Sequence, residues 1–303
     1  MKITLRILET TEDMLLVEDL QRLVWPGSDL DVVPGHMLLT AAHNGGLVIG
    51  AFDRDSQDTQ AQPSLVGFVY GFPGLYFTPD GPRPKHCSHM LGVDPRYRDQ
   101  GIGFLLKRAQ WQMVRHQGLD RITWTYDPLL SRNAYLNITK LGAVCSTYQR
   151  ELYGEMRDGL NVGIPSDRLQ VDWWVNSLRV DRRLSRRARG PLDLANYYAA
   201  GVEVVNPTHV IQDGWPAPPE EPPQFLSDRQ QDAEPPAILL LEIPADFQAL
   251  KNAQPSLALK WRIHSRHMLE TLFERGYLIT DFIYMPGKHA RGFYVLSFGE
   301  STL

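Results

Sequence analysis

Apolar and polar residues alternate along 3–8 (ITLRIL), which predicts a strand, and the period then lengthens. Over 11–25, Leu15, Leu16, Leu20 and Leu23 recur near helical spacing behind acidic residues, which predicts a helix. A second short helix is expected over 34–46, closed by glycine. Strands follow over 47–53 and 64–72, joined as a hairpin by a polar stretch, and again over 86–93, closed by Asp94-Pro95. The segment 102–118 sets Ile102, Leu105, Leu106, Ala109 and Met113 on one face, with Lys107, Arg108, Gln112 and Arg115 off it. That pattern is an amphipathic helix, and Gly118 stops it. A strand over 121–127, a helix over 131–143 and strands over 143–153 and 168–175 complete this half.

The pattern loosens after that. Arginines crowd 179–190, and 205–236 is rich in proline and polar residues. Proline fixes φ and removes a backbone donor, so the second stretch reads as a connector. Regularity returns with a strand over 237–244, a helix over 257–277 and strands over 278–285 and 292–298. This tail repeats the order strand, helix, glycine, strand, strand found at 121–175, with KLGAVCSTY and ERGYLITDF in equivalent places, as a degenerate duplication would. The expected organisation is a domain over 1–178, a connector over 179–236 and a smaller α/β segment over 237–303. The fold class is α/β in the broad sense (α+β), a mixed sheet with helices.

Composition narrows the function classes. A net charge of −4 and a pI near 6.1 give no general attraction to nucleic acid or anionic membrane. Two cysteines, Cys87 and Cys145, are too few for a disulfide framework and lack metal-ligand spacing, so no metal is expected. The first 20 residues lack a signal-peptide pattern, and no apolar run approaches the roughly 20 residues that cross a bilayer. The expectation is a cytoplasmic protein without membrane or nucleic-acid partners.

The chemistry concentrates at 92–103, GVDPRYRDQGIG. A helix start carries unpaired N–H groups and partial positive charge, and glycines let phosphate oxygens approach it. Arg98, Asp99, Gln100, Gly101, Ile102 and Gly103 supply a cation, a turn and two glycines between a predicted strand and a predicted helix. The bland alternative for the hexapeptide alone is a tight turn with no ligand.

In its context, LGVDPRYRDQGIGFLLKRA resembles the acyl-CoA pyrophosphate motif of the GNAT superfamily of acetyltransferases, L-x-V-x-P-x-x-R-x-x-G-x-G/A. SRNAYLNITKLGA is similar to their downstream helix, N-x-x-A-x-x-x-Y-x-x-x-G-F. The resemblance covers about residues 1–178. It implies a mixed, mostly antiparallel sheet flanked by helices and an acyl-CoA-dependent N-acyltransferase that moves acetyl from acetyl-CoA to an amine by direct attack. By the same resemblance, Gln100, Gly101, Ile102 and Gly103 offer N–H groups to the pyrophosphate, with Arg98 beside them. Leu91 and Val93 hold the pantetheine arm through main-chain groups, and Asn133 belongs to the coenzyme site.

The second motif departs from the family. With Gly142 aligned, Ser131 stands where asparagine is usual, and Ile138 where a thiolate-protonating tyrosine is usual. Tyr135 lies one turn earlier and is the tentative general acid; another group or water is the alternative. A second class of function is therefore a non-catalytic acyl-CoA-binding or regulatory protein. For the base, strand parity puts Cys87, His89, Leu91 and Val93 on one face, so His89 is the tentative base facing the acceptor. A buried core histidine is the competing reading. His86 and Cys87 are weaker candidates, and Tyr126 and Asp127 are expected near the acceptor. The acceptor is read as a small-molecule amine rather than a protein, and the sequence leaves room for a homodimer.

The remaining features have bland readings. Arg179, Arg182, Arg183, Arg186, Arg187 and Arg189 read as a solvated or interdomain patch. Arg262, His264, Arg266 and His267 read as a polar helix face. Trp173 and Trp174 must point to opposite faces of their strand.

Overall fold

Each strand and helix predicted in the first half has a counterpart in the computed structural model, which describes residues 2–27, 29–54, 64–154, 162–185, 190, 192–211, 213–220 and 234–299. In chain order the elements are β1 (Ile3–Ile7), α1 (Thr11–Val24), α2 (Gly35–His43), β2 (Leu47–Asp53), β3 (Ser64–Thr78), β4 (Gly81–Val93), α3 (Ile102–His116) and β5 (Arg121–Tyr126). Then come α4 (Ser131–Ala134), a π-helical stretch (Tyr135–Lys140), β6 (Val144–Gln149), β7 (Arg168–Trp174), α5 (Leu178–Leu184) and α6 (Leu194–Ala199). The short strands β8 (His209–Val210) and β9 (Pro216–Ala217) pair with each other. The chain continues with β10 (Ile238–Pro244), α7 (Phe247–Ala253), α8 (Pro255–Glu274), β11 (Tyr277–Met285) and β12 (Arg291–Phe298).

The described residues form two compact units. One holds residues 2–124 and 173–176; the other holds 125–154, 162–172 and those after 176. Contacts therefore divide at Trp124 and Thr125, within β5, rather than at residue 178.

The first unit is a sheet in the order β1-β2-β3-β4-β5, antiparallel except for the β4–β5 pair. Helices α1 and α2 cover one face, where Met14, Val17, Leu20, Val24 and Leu38 pack on Val48, Phe52, Phe68 and Tyr70. Helix α3 covers the other, where Ile102 and Leu106 pack on Ile49, Ala51, Val66 and Val69. Strand β2 is buried along its whole length, so LVIGAF is a continuous apolar run without alternation. Helix α1 starts at a capping box: Thr10 Oγ1 accepts from Asp13 N–H, and the Asp13 carboxylate accepts from Thr10 N–H and pairs with Arg6.

Strands β3 and β4 form a longer hairpin than the apolar pattern predicts, pairing from Gly67↔Val93 to Thr78↔Gly81. Pro73 lies within β3, and Pro82 and Pro84 lie within β4. Pro82 and Pro84 lie where β4 has only β3 beside it, so their missing N–H groups cost no ladder bond. Near its middle the hairpin carries a bulge. Tyr70 opposes Met90 and Gly71 opposes Ser88, which leaves His89 as the extra residue. Gly71 is required there, since a Cβ would lie 2.2 Å from His86 Nε2 and 2.6 Å from the Cys87 carbonyl.

The second unit contains a sheet ordered β7-β6-β11-β12-β10, antiparallel at the pairs β6–β7, β6–β11, β11–β12 and β10–β12. The tail keeps the predicted element order, with β12 standing between β10 and β11. The helix predicted over 131–143 does end at Gly142, with φ +75, but it widens into a π-turn in which Leu141 N–H bonds to Leu136 C=O. Thr139 in that turn donates to the Phe282 carbonyl (2.6 Å) beside a bulge in β11.

Gly71→Ala is expected to destabilise the protein by about 1–3 kcal/mol, because the new methyl must displace backbone and a packed ring. Gly27→Ala, which meets nothing within 4 Å, is the near-neutral control. Urea denaturation of the two variants checks the difference.

Candidate functional site

The loop between β4 and α3 is built from short-range bonds. Asp94 N–H bonds to Val66 C=O, its carboxylate accepts Arg96 N–H (2.9 Å), and Arg96 pairs with the same carboxylate. The Arg96 hydrogen bonds outweigh burial and hold the Asp94 carboxyl below its usual range. A 3-10 turn follows over Pro95–Tyr97. Then Asp99 (φ 63) and Gly101 (φ 80) both adopt left-handed backbone, and α3 begins with Gly101 as its N-cap. No side chain caps that end. The first helical bond runs from Leu105 N–H to Gly101 C=O, so the preceding N–H groups have no acceptor within the helix. Arg98, Gln100 and Gly101 are exposed, and nothing lies within 4 Å of a Cβ built on Gly101. Ile102 points the other way, into the core beneath α3.

Strand β4 leads into this loop with one edge open. It pairs with β5 only at His86↔Ile122 and Cys87↔Thr123, and then runs on to Val93 without a described partner on that side. Leu91 and Val93 lie on this open stretch. The bulge, however, corrects the parity expected from the sequence. Cys87 pairs across from Phe72, and the His89 ring lies 5.9 Å from both Tyr70 and Phe72, on the face of α1 and α2. Leu91 and Val93 instead pack with Ile102 and Leu106, under α3. An inserted residue reverses which side later residues take, so His89 and Leu91 do not share a face. His89 is exposed, which sets aside the buried-core alternative, and the apolar crowding around its ring lowers its pKa by desolvation.

Three polar residues that the sequence reading did not single out gather where the two strands part. Lys107, expected off the apolar face, is 3% exposed. Its Nζ donates to Ser88 Oγ (2.7 Å) and Gln110 Oε1 (3.2 Å) and sits 3.6 Å from the centre of the Trp124 ring. Ser88 Oγ also donates to Gln110 Oε1 (2.9 Å), and Gln110 Nε2 meets His86 Nε2 at 3.0 Å. Burial holds the Lys107 amine well below its usual pKa. It also pushes His86 down to about 3, with the Lys107 charge as the second cause. Among the described residues, His86 Nδ1 has no hydrogen-bond partner. The sequence signal was spacing: 110 falls on the 102, 106, 110, 114 stripe that faces the sheet, and 107 adjoins it.

Asn133 and Tyr135 belong to the second unit, while His89, Leu91, Val93 and residues 98–103 lie in the first. Both are half-buried on the α4–π-helical segment, and Lys140 Nζ lies 5.4 Å from the Tyr135 ring centre. Ile138, in the position where the resemblance expects tyrosine, is fully buried. Tyr126 and Asp127, expected near an acceptor, are interior residues of this unit. Tyr126 Oη lies 3.2 Å from Tyr294 Oη, and Asp127 pairs with Arg262 and accepts Leu129 N–H (2.8 Å).

Arg262 is 1% exposed, which overturns the reading of its helix face as merely polar and solvated; Arg266 pairs with buried Asp167. Arg179 donates to the carbonyls of Gly142 and Thr280, and Arg183 pairs with Asp281. Part of the arginine run is thus internal scaffolding, while Arg186, Arg187 and Arg189 lie outside the described residues. Trp173 is buried against Trp124, and Trp174 stacks edge-on with Tyr76. Among the described residues, no group of His, Cys, Asp or Glu is placed to hold a metal, and no helix is long and apolar enough to cross a membrane.

No protein-family model matches the chain, and no curated protein matches it. Solved structures similar to it include NAA60 from Arabidopsis thaliana in complex with acetyl-CoA, at 16% identity over 57% of this chain and 99% of that one, with a TM-score of 0.45. The ribosomal-protein-S18-alanine N-acetyltransferase from Escherichia coli is similar at 15% identity over 58% and 96%, with a TM-score of 0.43. A GNAT-family acetyltransferase from Streptococcus pneumoniae is similar at 16% identity over 56% and 98%, also with a TM-score of 0.43.

The depressed His86 pKa sets a stability signature. The unfolded chain binds this proton near pH 6.5 and the folded chain only near 3, so the contribution is complete above 6.5 and declines as pH falls toward 3. Between pH 6.5 and 5, the unfolding free energy of wild type is expected to fall more steeply than that of His86→Gln, by up to about 1.4 kcal/mol per pH unit. Denaturant titrations across that range check it.

Proposed function

We propose that this chain is an acyl-CoA-dependent N-acyltransferase of the GNAT type that moves acetyl from acetyl-CoA to a small-molecule amine. The observation that carries the reading is the open edge of β4 running straight into a left-handed glycine turn and an uncapped helix start. Those two features suit the two chemically different parts of coenzyme A. The pyrophosphate is anionic and fits free N–H groups at Gly101, Ile102 and Gly103, with Gln100 in the turn and the Arg98 guanidinium beside it. The pantetheine arm carries amides and fits main-chain groups of Leu91 and Val93 as an added strand.

With the thioester so held, an acceptor amine attacks the carbonyl carbon directly. A C–N bond forms, the C–S bond breaks, and the coenzyme leaves as a thiolate that must take a proton. The proton lost by the amine goes to His89, directly or through water. Its lowered pKa keeps the imidazole neutral and ready to accept at neutral pH. The leaving thiolate takes its proton from water. Orientation of the two reactants supplies much of the rate, since no covalent enzyme intermediate is needed.

A second reading has an observation of its own. Ile138 is a packed core residue where the resemblance expects a proton donor, which favours a non-catalytic acyl-CoA-binding protein. Coenzyme binding is common to both readings; turnover divides them.

Calorimetric titration is expected to show acetyl-CoA binding to wild type and binding at least about tenfold weaker, ~1.4 kcal/mol, to folded Gly101→Trp. Absence of binding to folded wild type overturns both readings. Thiol release with a panel of small amines then separates them: release supports the transferase, and binding without release supports the second reading.

A further inference from the structure

Lys107 does not belong where it is on packing grounds alone. A buried amine with no carboxylate beside it among the described residues loses hydration that Ser88, Gln110 and a ring face replace only in part. Methionine would fill nearly the same length without that cost. What the amine does, and methionine would not, is bridge two strands. Its Nζ is bonded to Ser88, the first β4 residue past the last β4–β5 pair, and lies over Trp124, the first β5 residue past it. It stands in the fork.

The position matters for the proposed coenzyme site, on which this inference rests. A pantetheine arm entering at the α3 start and following β4 backwards passes Val93 and Leu91 and meets the fork at Ser88. The five residue steps from Val93 to Ser88 span roughly 16 Å of strand. The acyl end therefore arrives at a floor made of the Lys107 amine, the Ser88 hydroxyl and Trp124. That floor is filled and polar, and its hydrogen bonds close among themselves.

We propose that Lys107 is a positioning residue that holds the fork between β4 and β5 and limits the slot along β4 to short acyl groups.

Titration of wild type with CoA, acetyl-CoA, butyryl-CoA and hexanoyl-CoA tests it without knowledge of the acceptor. Hexanoyl-CoA is expected to bind at least about tenfold more weakly than acetyl-CoA, as a filled pocket rejects added methylenes. In Lys107→Ala that gap should shrink about tenfold while affinity for CoA itself stays within about twofold. Lys107→Met, which keeps the length but not the bridge, should also lose part of the discrimination, since the fork is then unheld. A structural role alone would weaken all four ligands together. Equal binding of every chain length by wild type overturns the proposal, as does unchanged discrimination in folded Lys107→Ala. If that variant does not fold, Trp124→Leu lowers the opposite wall of the fork and decides by the same two outcomes. If wild type binds none of the four, the acyl-CoA reading fails and takes this inference with it. Binding without discrimination overturns this inference alone.

Discussion

One extra residue in β4 governs the arrangement of the first unit. Because His89 has no counterpart on β3, the strand changes side in mid-course. Before it, His86 and Ser88 face α3; after it, Leu91 and Val93 face α3, while His89 joins Tyr70 and Phe72 on the opposite side. The bulge also coincides with the end of pairing to β5. A regular strand would keep both its parity and its neighbour. The bulge instead sends a titratable ring to one face and leaves the next turn of main chain open. Gly71 makes this possible, since any Cβ there would collide with the His86 ring.

The fork depends in turn on α3. The helix brings an apolar stripe for the sheet and two polar residues, Lys107 and Gln110, for the place where the sheet stops being continuous. Its uncapped start provides N–H groups at one end, and its buried amine closes the fork farther along. A single amphipathic helix thus joins the left-handed glycine loop to the strand edge. The second unit shows comparable internal use of charge: Arg262 on Asp127, Arg266 on Asp167, and Arg179 and Arg183 on the bulged part of β11. In each case an arginine that reads as surface satisfies buried oxygen atoms.

Local signals were legible wherever one face of an element decides its fate. The strands β1 and β2, the helix α3 and the glycine stops at Gly118 and Gly142 all appear at the expected places. The loop over 98–103 was legible because its chemistry is mostly backbone, and glycine announces backbone. The long β3–β4 hairpin was not, because proline usually breaks strands and only an edge position excuses it. The faces of His89 and Leu91 were misassigned for the same kind of reason: parity holds for a regular ladder, and no residue type marks an inserted one.

By itself, then, the sequence determined which segments are strands and helices, where the chain turns tightly, and which loop leads into a helix start through glycines. Those properties rest on period, φ preference and local hydrogen bonding within a few residues. Only the tertiary structure decided that Lys107, Ser88, Gln110 and His86 form one dry network, that Arg262 is interior, and that contacts divide at Trp124 rather than at the arginine run. These outcomes depend on which distant oxygen, ring or strand stands opposite a side chain. A polar residue on a helix has the same local signature whether it meets water or a buried partner.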